Sequence, residues 1–197
     1  MTDTIEKRLQ RIYASLGIVV ECDIQSTVKY VQEGSTGRLT FDRDMSAEEI
    51  ENNAHMAISL IAHFPDHLKR WLRSRHLETT ELDQLLLSCQ EMKVLKDLAN
   101  TEKHGGFDRN GGHSGLLPRL SNVHRGMRLE PKPNGSQATV KINLPEGTIT
   151  HVNGDPLQVV IDADVMDSNG NKLCNLTWLL ESSLVQLELL HGRLAAV

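Results

Sequence analysis

A chain of 197 residues with 39% hydrophobic residues can bury one sizeable core and is too apolar to be disordered throughout. Aromatics make up only 4%, so the core has to be Leu, Ile, Val, Ala and Met, and a net charge of −5 argues against a surface that is basic overall while leaving room for a local patch. Cys22, Cys89 and Cys174 are widely spaced with no CxxC pair, the start MTDTIEKRLQ lacks the apolar run of a signal peptide, and no stretch approaches the roughly 18 apolar residues of a membrane span. These features argue against a disulfide framework or a zinc site of familiar spacing, and the expectation is a soluble cytoplasmic protein.

Along the chain, Ile5, Leu9, Ile12, Leu16, Val20, Ile24, Val28 and Val31 recur every three or four residues, the stripe of a helix from about 4 to 32. Gly17 and the β-branched Ile18-Val19-Val20 weaken its middle and leave a shorter helix followed by a strand open. Gly34-Ser-Thr-Gly37 breaks the pattern, 38–41 reads as a short extended piece, and 42–44 as a solvated turn. Ser46-Ala-Glu-Glu49 has the spacing of a capping box, and Ile50, Ala54, Ala57, Ile58 and Ile61 continue the buried face of a helix from 47 to about 63. Pro65 should end that helix or open the next, whose face is Leu68, Trp71 and Leu72. Thr79 or Thr80 then caps a helix that carries Leu82, Leu85, Leu86, Cys89, Met92, Leu95 and Leu98 and runs to His104. Residues 1–104 thus read as an antiparallel helical bundle.

The segment 105–118 is a glycine-rich loop, with five glycines in GGFDRNGGHSG, and reads as mobile or as a linker. No GxxxxGK[ST] or GxGxxG follows a strand there, so it lacks the form of a phosphate cradle. From 119 to 173 the period changes: 123–129, 138–144 and 157–166 alternate as strands between Pro-Asn-Gly, Pro-Glu-Gly and Asn-Gly-Asp-Pro turns. Leu176, Leu179, Leu180, Leu184, Leu187 and Leu190 are the stripe of a C-terminal helix within 174–197, too apolar to stand alone. The fold class is α+β: a helical bundle, a small antiparallel sheet, and a helix that docks back to make one unit.

Reactive groups gather where the bundle ends. Asp97, Asn100, Lys103 and His104 lie at helical spacing, so Asn100 and His104 share a face with Lys103 beside it. The plainer reading is a polar last turn, with Lys103 and His104 against the negative helix end and Gly105 as left-handed cap. Asp97, with Asp66, His55 and His67 upstream, completes the set of candidate binding residues. His63 and His67 have the HxxxH spacing that can present two ring nitrogens to zinc, but Pro65 between them is expected to break the helix and their common face. There is no HExxH or GxSxG and no Cys beside a plausible His, so neither a metal nor a nucleophile is assigned. Asp162 and Asp164 share one side of a strand, as a carboxylate pair would, and read better as a solvated sheet face. Asp167-Ser-Asn169-Gly-Asn171 opens like a calcium loop but lacks its later Glu, and reads as a turn.

A helical bundle whose last helix carries Asn100-Thr-Glu-Lys-His104 resembles the HEPN superfamily of small nucleotide-binding and ribonuclease domains. Their hallmark is an Arg, four to six residues, then a His, often with Asn directly after the Arg. Over 46–104 the resemblance implies metal-independent RNA cleavage at a dimer interface, with His104 carrying a proton, Asn100 orienting and Lys103 touching phosphate. Ala99 stands where the family has its Arg, whereas literal Arg-to-His spacings occur at Arg70 to His76 and Arg119 to His124. NNAHMAISLIAHFPDHLKRWL and LKDLANTEKHG are also similar to segments of bacterial proteins of unknown function, which implies no activity. Two readings follow: a non-enzymatic interaction or regulatory module, homo-oligomeric and needing no cofactor, or a ribonuclease or RNA- or nucleotide-binding protein acting through Asn100 and His104.

Overall fold

The long first helix expected from the sequence does not continue as far as residue 32. In the structure, a computed structural model that describes residues 4–16, 28–33, 36–41, 45–105, 112–128, 139–143, 148–153 and 158–195, helix α1 covers Ile5–Leu16 and buries Ile5 and Ile12. Val28–Glu33 is strand β1, paired antiparallel with β2 (Thr36–Phe41) from Val28↔Phe41 to Glu33↔Thr36. Val28 and Val31 satisfy a helical spacing, but a facing strand rewards the β-branched and aromatic residues Val28, Tyr30 and Val31 that a helix merely tolerates. The last part of the helix expected over 4–32 is thus strand. The turn at 42–44 and the weak stretch at 17–27 lie outside the described residues.

Helix α2 (Ala47–Ser74) begins as its sequence requires, because both bonds of the capping box form: Glu49 N–H to Ser46 Oγ at 3.2 Å and Ser46 N–H to Glu49 Oε2 at 2.9 Å. It does not end at Pro65. Proline costs the helix one hydrogen bond, about 3 kcal/mol against alanine. Phe64, Pro65, Leu68 and Leu72 nevertheless continue the buried face of Ala54, Ala57, Ile58 and Ile61, and that burial, at roughly 1.5–3 kcal/mol per large side chain, outweighs the loss. The single helix expected from 80 to 104 is instead two, α3 (Thr80–Ser88) and α4 (Gln90–His104), broken at Cys89 in an extended conformation. The change of direction brings Met92, Val94, Leu95 and Leu98 into the core, while Leu82 is the buried side chain of α3.

The small antiparallel sheet has the order β3-β6-β7, from β3 (Arg119–Arg128), β6 (Gln158–Met166) and β7 (Lys172–Asn175). A second sheet was not expected. Strands β4 (Thr139–Asn143) and β5 (Thr148–Asn153) form a hairpin between β3 and β6 in sequence, and the order β2-β1-β5-β4 joins it to the hairpin after α1 through Lys29↔Thr148. The N-terminal part is thus not purely helical. The signal for β5 is the β-branched content of Thr148-Ile-Thr-His-Val-Asn153, short and mostly polar, with Ile149 and Val152 on opposite faces.

Helix α5 (Leu176–Ala195) buries all six leucines of its expected stripe and packs against α2, α4, β6 and β7. One hydrophobic core consequently runs from Ile12 through Phe64 and Leu95 to Val165 and Leu187. The fold class is α+β. Among the described residues no helix is long and apolar enough to cross a membrane.

Candidate functional site

Of the four residues expected to share the end of α4, Asp97 does one task and Asn100 and Lys103 another. Asp97 is 1% exposed and points at the loop, where its carboxylate accepts from His113 N–H (2.6 Å), Ser114 N–H (2.8 Å) and Ser114 Oγ (2.7 Å). A buried charge is tolerable only when it is met in this way. The loop pays with its shape: Gly112 sits at φ +67, and a Cβ there would lie 2.6 Å from Asp97 Oδ2. The described end of the glycine-rich segment, 112–115, is therefore a pinned turn and not a free linker. Gly105 caps α4 at φ 65, the left-handed conformation expected of it.

Asn100 and Lys103 line a cleft of about 660 Å³ between α2, α3 and α4. Lys69, Lys93, Lys96 and His113 line it with them. On α4 the lysines and the amide fall at 93, 96, 100 and 103, spacings of three and four that make one polar stripe. The stripe is legible in the sequence, on the face of α4 opposite Leu95 and Leu98. Lys69 and His113 are contributed by other segments, and no local signal could have placed them.

Charge in the cleft is mixed but positive in balance. Lys69 Nζ lies 2.6 Å from Asp83 Oδ1, and that ammonium, with Thr79 Oγ1 donating at 2.8 Å, holds the Asp83 carboxyl below its usual range. Asp66 is the other carboxylate lining the cleft. Lys93, Lys96 and Lys103 form no ion pair among the described residues. Ammonium groups of this kind are point charges with rotatable donors, suited to a string of phosphate oxygens more than to one planar anion. His104 ends α4, but its side chain lies outside the described residues.

The remaining candidates lie elsewhere or have structural partners. His55 bridges α2 to α4, its Nε2 being 3.5 Å from Glu102 and 4.0 Å from Glu51, away from the cleft lining. Because α2 is continuous, Pro65 does not separate His63 from His67, and the reason given for their losing a common face fails. They still diverge in use. His63 Nδ1 bonds the Ser59 carbonyl at 2.7 Å, whereas His67 sits between Arg8 and Arg70. Among the described residues no group of three or more His, Cys, Asp or Glu could hold a metal ion. Asp162 caps α5 by accepting from Thr177 N–H at 3.0 Å, and Asp164 pairs with Lys172 and Asn122. Asp167 accepts from the backbone of Asn169 and Asn171, both at 2.8 Å, and so builds the β6–β7 turn. His76 stands in a left-handed conformation after α2 (φ 58), and His124 Nδ1 is 2.7 Å from Asn122 O, so neither literal Arg-to-His spacing gathers a site. Compared with models of protein families, with curated proteins and with solved structures, the chain matches none.

Proposed function

We propose that the protein is a non-enzymatic binding module of the cytoplasm whose lysine-lined cleft takes the phosphodiester backbone of single-stranded RNA. The observation that carries this reading is the convergence of Lys69, Lys93, Lys96 and Lys103 with Asn100 on one cleft in a chain whose net charge is −5. In an acidic protein a local cationic cleft is an exception to the overall field, and field of that sign concentrates polyanions. Cys89 and Cys174 are free thiols, in keeping with a reducing compartment.

The likeness to HEPN domains supplies a second reading, cleavage of the bound RNA with His104 as proton carrier, Asn100 as orienter and Lys103 as phosphate contact. In its favour, Asn100 and Lys103 do line one cleft. Against it, Ala99 is buried at the position where those domains have their guanidinium. Either reading carries a homodimer, for which α5 offers exposed Trp178, Val185 and Leu189 along one stripe.

Incubation with a mixed single-stranded RNA pool in EDTA separates the readings. Binding without cleavage, weakened by Lys96→Ala and by Lys103→Ala, is the expected result. Cleavage lost in His104→Ala would establish the enzyme instead, and absence of binding would remove both. Sedimentation of the wild type against Trp178→Glu tests the dimer.

A further inference from the structure

The lysine cleft also has an apolar wall, and we infer that Leu87, with Leu86 beside it, takes the unstacked base faces of a strand whose phosphates lie along the lysines of α4. This rests on the proposed RNA reading of the same cleft and adds the part of the ligand that phosphate does not account for.

The lining divides by element. Helix α4 contributes Lys93, Lys96 and Lys103, whereas α3 contributes Leu86 and Leu87 beside Asp83. Pro65 of α2 and Met92 and Ala99 of α4 line the cleft and are themselves buried, which gives it an apolar floor. Leu86 is half-buried against the core, but Leu87 is 74% exposed, more than any other large apolar side chain among the described residues. Helix α3 is anchored near its start: Leu82 is fully buried, Lys69 Nζ lies 2.6 Å from Asp83 Oδ1, and Arg193 Nη2 lies 3.7 Å from Glu81 Oε2. The two leucines are thus carried on a fixed element, and little ordering has to accompany binding.

Charge and apolar surface in one cleft narrow the choice of occupant. A bare polyanion would meet the ammonium groups and leave Leu87 in water, while a wholly apolar ligand would strip water from Lys93, Lys96 and Lys103 and offer no acceptor in return. A duplex has the phosphates but keeps its bases stacked and paired inside. A single strand repeats one anionic linkage and one base with an open face in every nucleotide, which matches both walls at once. Among the described residues that line the cleft none is Phe, Tyr or Trp, so the base faces meet aliphatic surface in place of a stacking ring. Contact of that kind rewards buried area and reads no base edge, and no particular sequence is selected.

Fluorescence anisotropy on the full chain, at one salt concentration, tests the wall with two probes: a short single strand of mixed sequence, and a strand of the same length and backbone without bases. The wild type should bind the base-bearing strand more tightly. Leu87→Ser should weaken that strand about fivefold and leave the abasic strand unchanged, because it removes apolar area without touching charge. Leu87→Phe, which puts a flat ring in the same place, should tighten the base-bearing strand alone. Lys96→Ala should weaken both strands by the same factor, since their phosphates are identical. Absence of binding to either strand would end the cleft reading and the wall with it. Equal affinity of the wild type for the two strands, or an unchanged affinity for the base-bearing strand in Leu87→Ser, would overturn the wall and leave the phosphate cleft standing. A loss in Leu87→Ser as large for the abasic strand would overturn it as well, since Leu87 would then shape the cleft without meeting bases.

Discussion

Asp97 ties helix α4 to the turn that follows it, and three short hydrogen bonds to one buried carboxylate are hard to replace. Removing the acceptor leaves two N–H groups and a hydroxyl without their partner, so Asp97→Ala should cost roughly 3 kcal/mol in urea unfolding. Gly112→Ala should cost a comparable amount for the complementary reason: a positive φ and a methyl group driven into the same carboxylate. If both variants were as stable as wild type, the clamp would not exist. The Asp164 and Asp167 carboxyls are held below their ordinary range, Asp164 first by Lys172 and then by Asn122, Asp167 by the side chain and backbone of Asn171. A depressed native pKa stabilises the fold above the unfolded value, near 4, and that contribution is lost as pH falls toward the native one. Stability should therefore decline below about pH 4, and Asp167→Asn should make the acid limb shallower.

At the scale of elements, α2 shows where local reading succeeds and where it fails. Ser46 and Glu49 state the start of the helix within four residues, and the structure forms both bonds. Pro65 states an end that does not come, because the decision rests with Phe64, Leu68 and Leu72 meeting partners far away in sequence. The energetic balance is testable. Pro65→Ala restores a backbone bond and loses ring burial, and thermal unfolding should show a gain of about 1 kcal/mol. Cys89 is the converse case, since nothing in Leu86-Leu87-Ser88-Cys89 signals a break, yet the chain turns there to admit Met92 and Leu95 to the core. The leucine stripe of α5 was fully legible because six large apolar residues on one helical face have only one place to go. Strand β1 was misleading because its valines, three apart, fit the helical period and fall on opposite faces of a strand, and pairing with β2 overrides that spacing.

For the whole molecule, the distribution of charge matters more than its sum. The cleft gathers four lysines on a chain whose net charge is −5, and if it takes RNA as proposed, the association should weaken steeply with salt. If all four meet phosphates, log K should fall against log salt with a slope of about −3 for a single strand, and Lys96→Ala should reduce it by about 0.7. A salt-independent affinity would speak for contacts other than phosphate. That Asn100 and Lys103 lie side by side was legible from spacing alone, since they share α4. The contact between Arg8 and His67 was not, because residues 59 positions apart become neighbours only when α1 lies along α2.

The four-stranded sheet is built from two hairpins that are remote in the chain and meet at Lys29↔Thr148, whereas β3 and β6 pair from Arg119↔Met166 to Arg128↔Gln158. Each hairpin can zip locally and fast, but the seam between them waits for distant pieces of chain to find one another. Native-state amide exchange should report this as early labelling along the β1–β5 seam and late labelling in β3 and β6. The molecule would then breathe at one sheet while the other, backed by α2 and α5, stays shut.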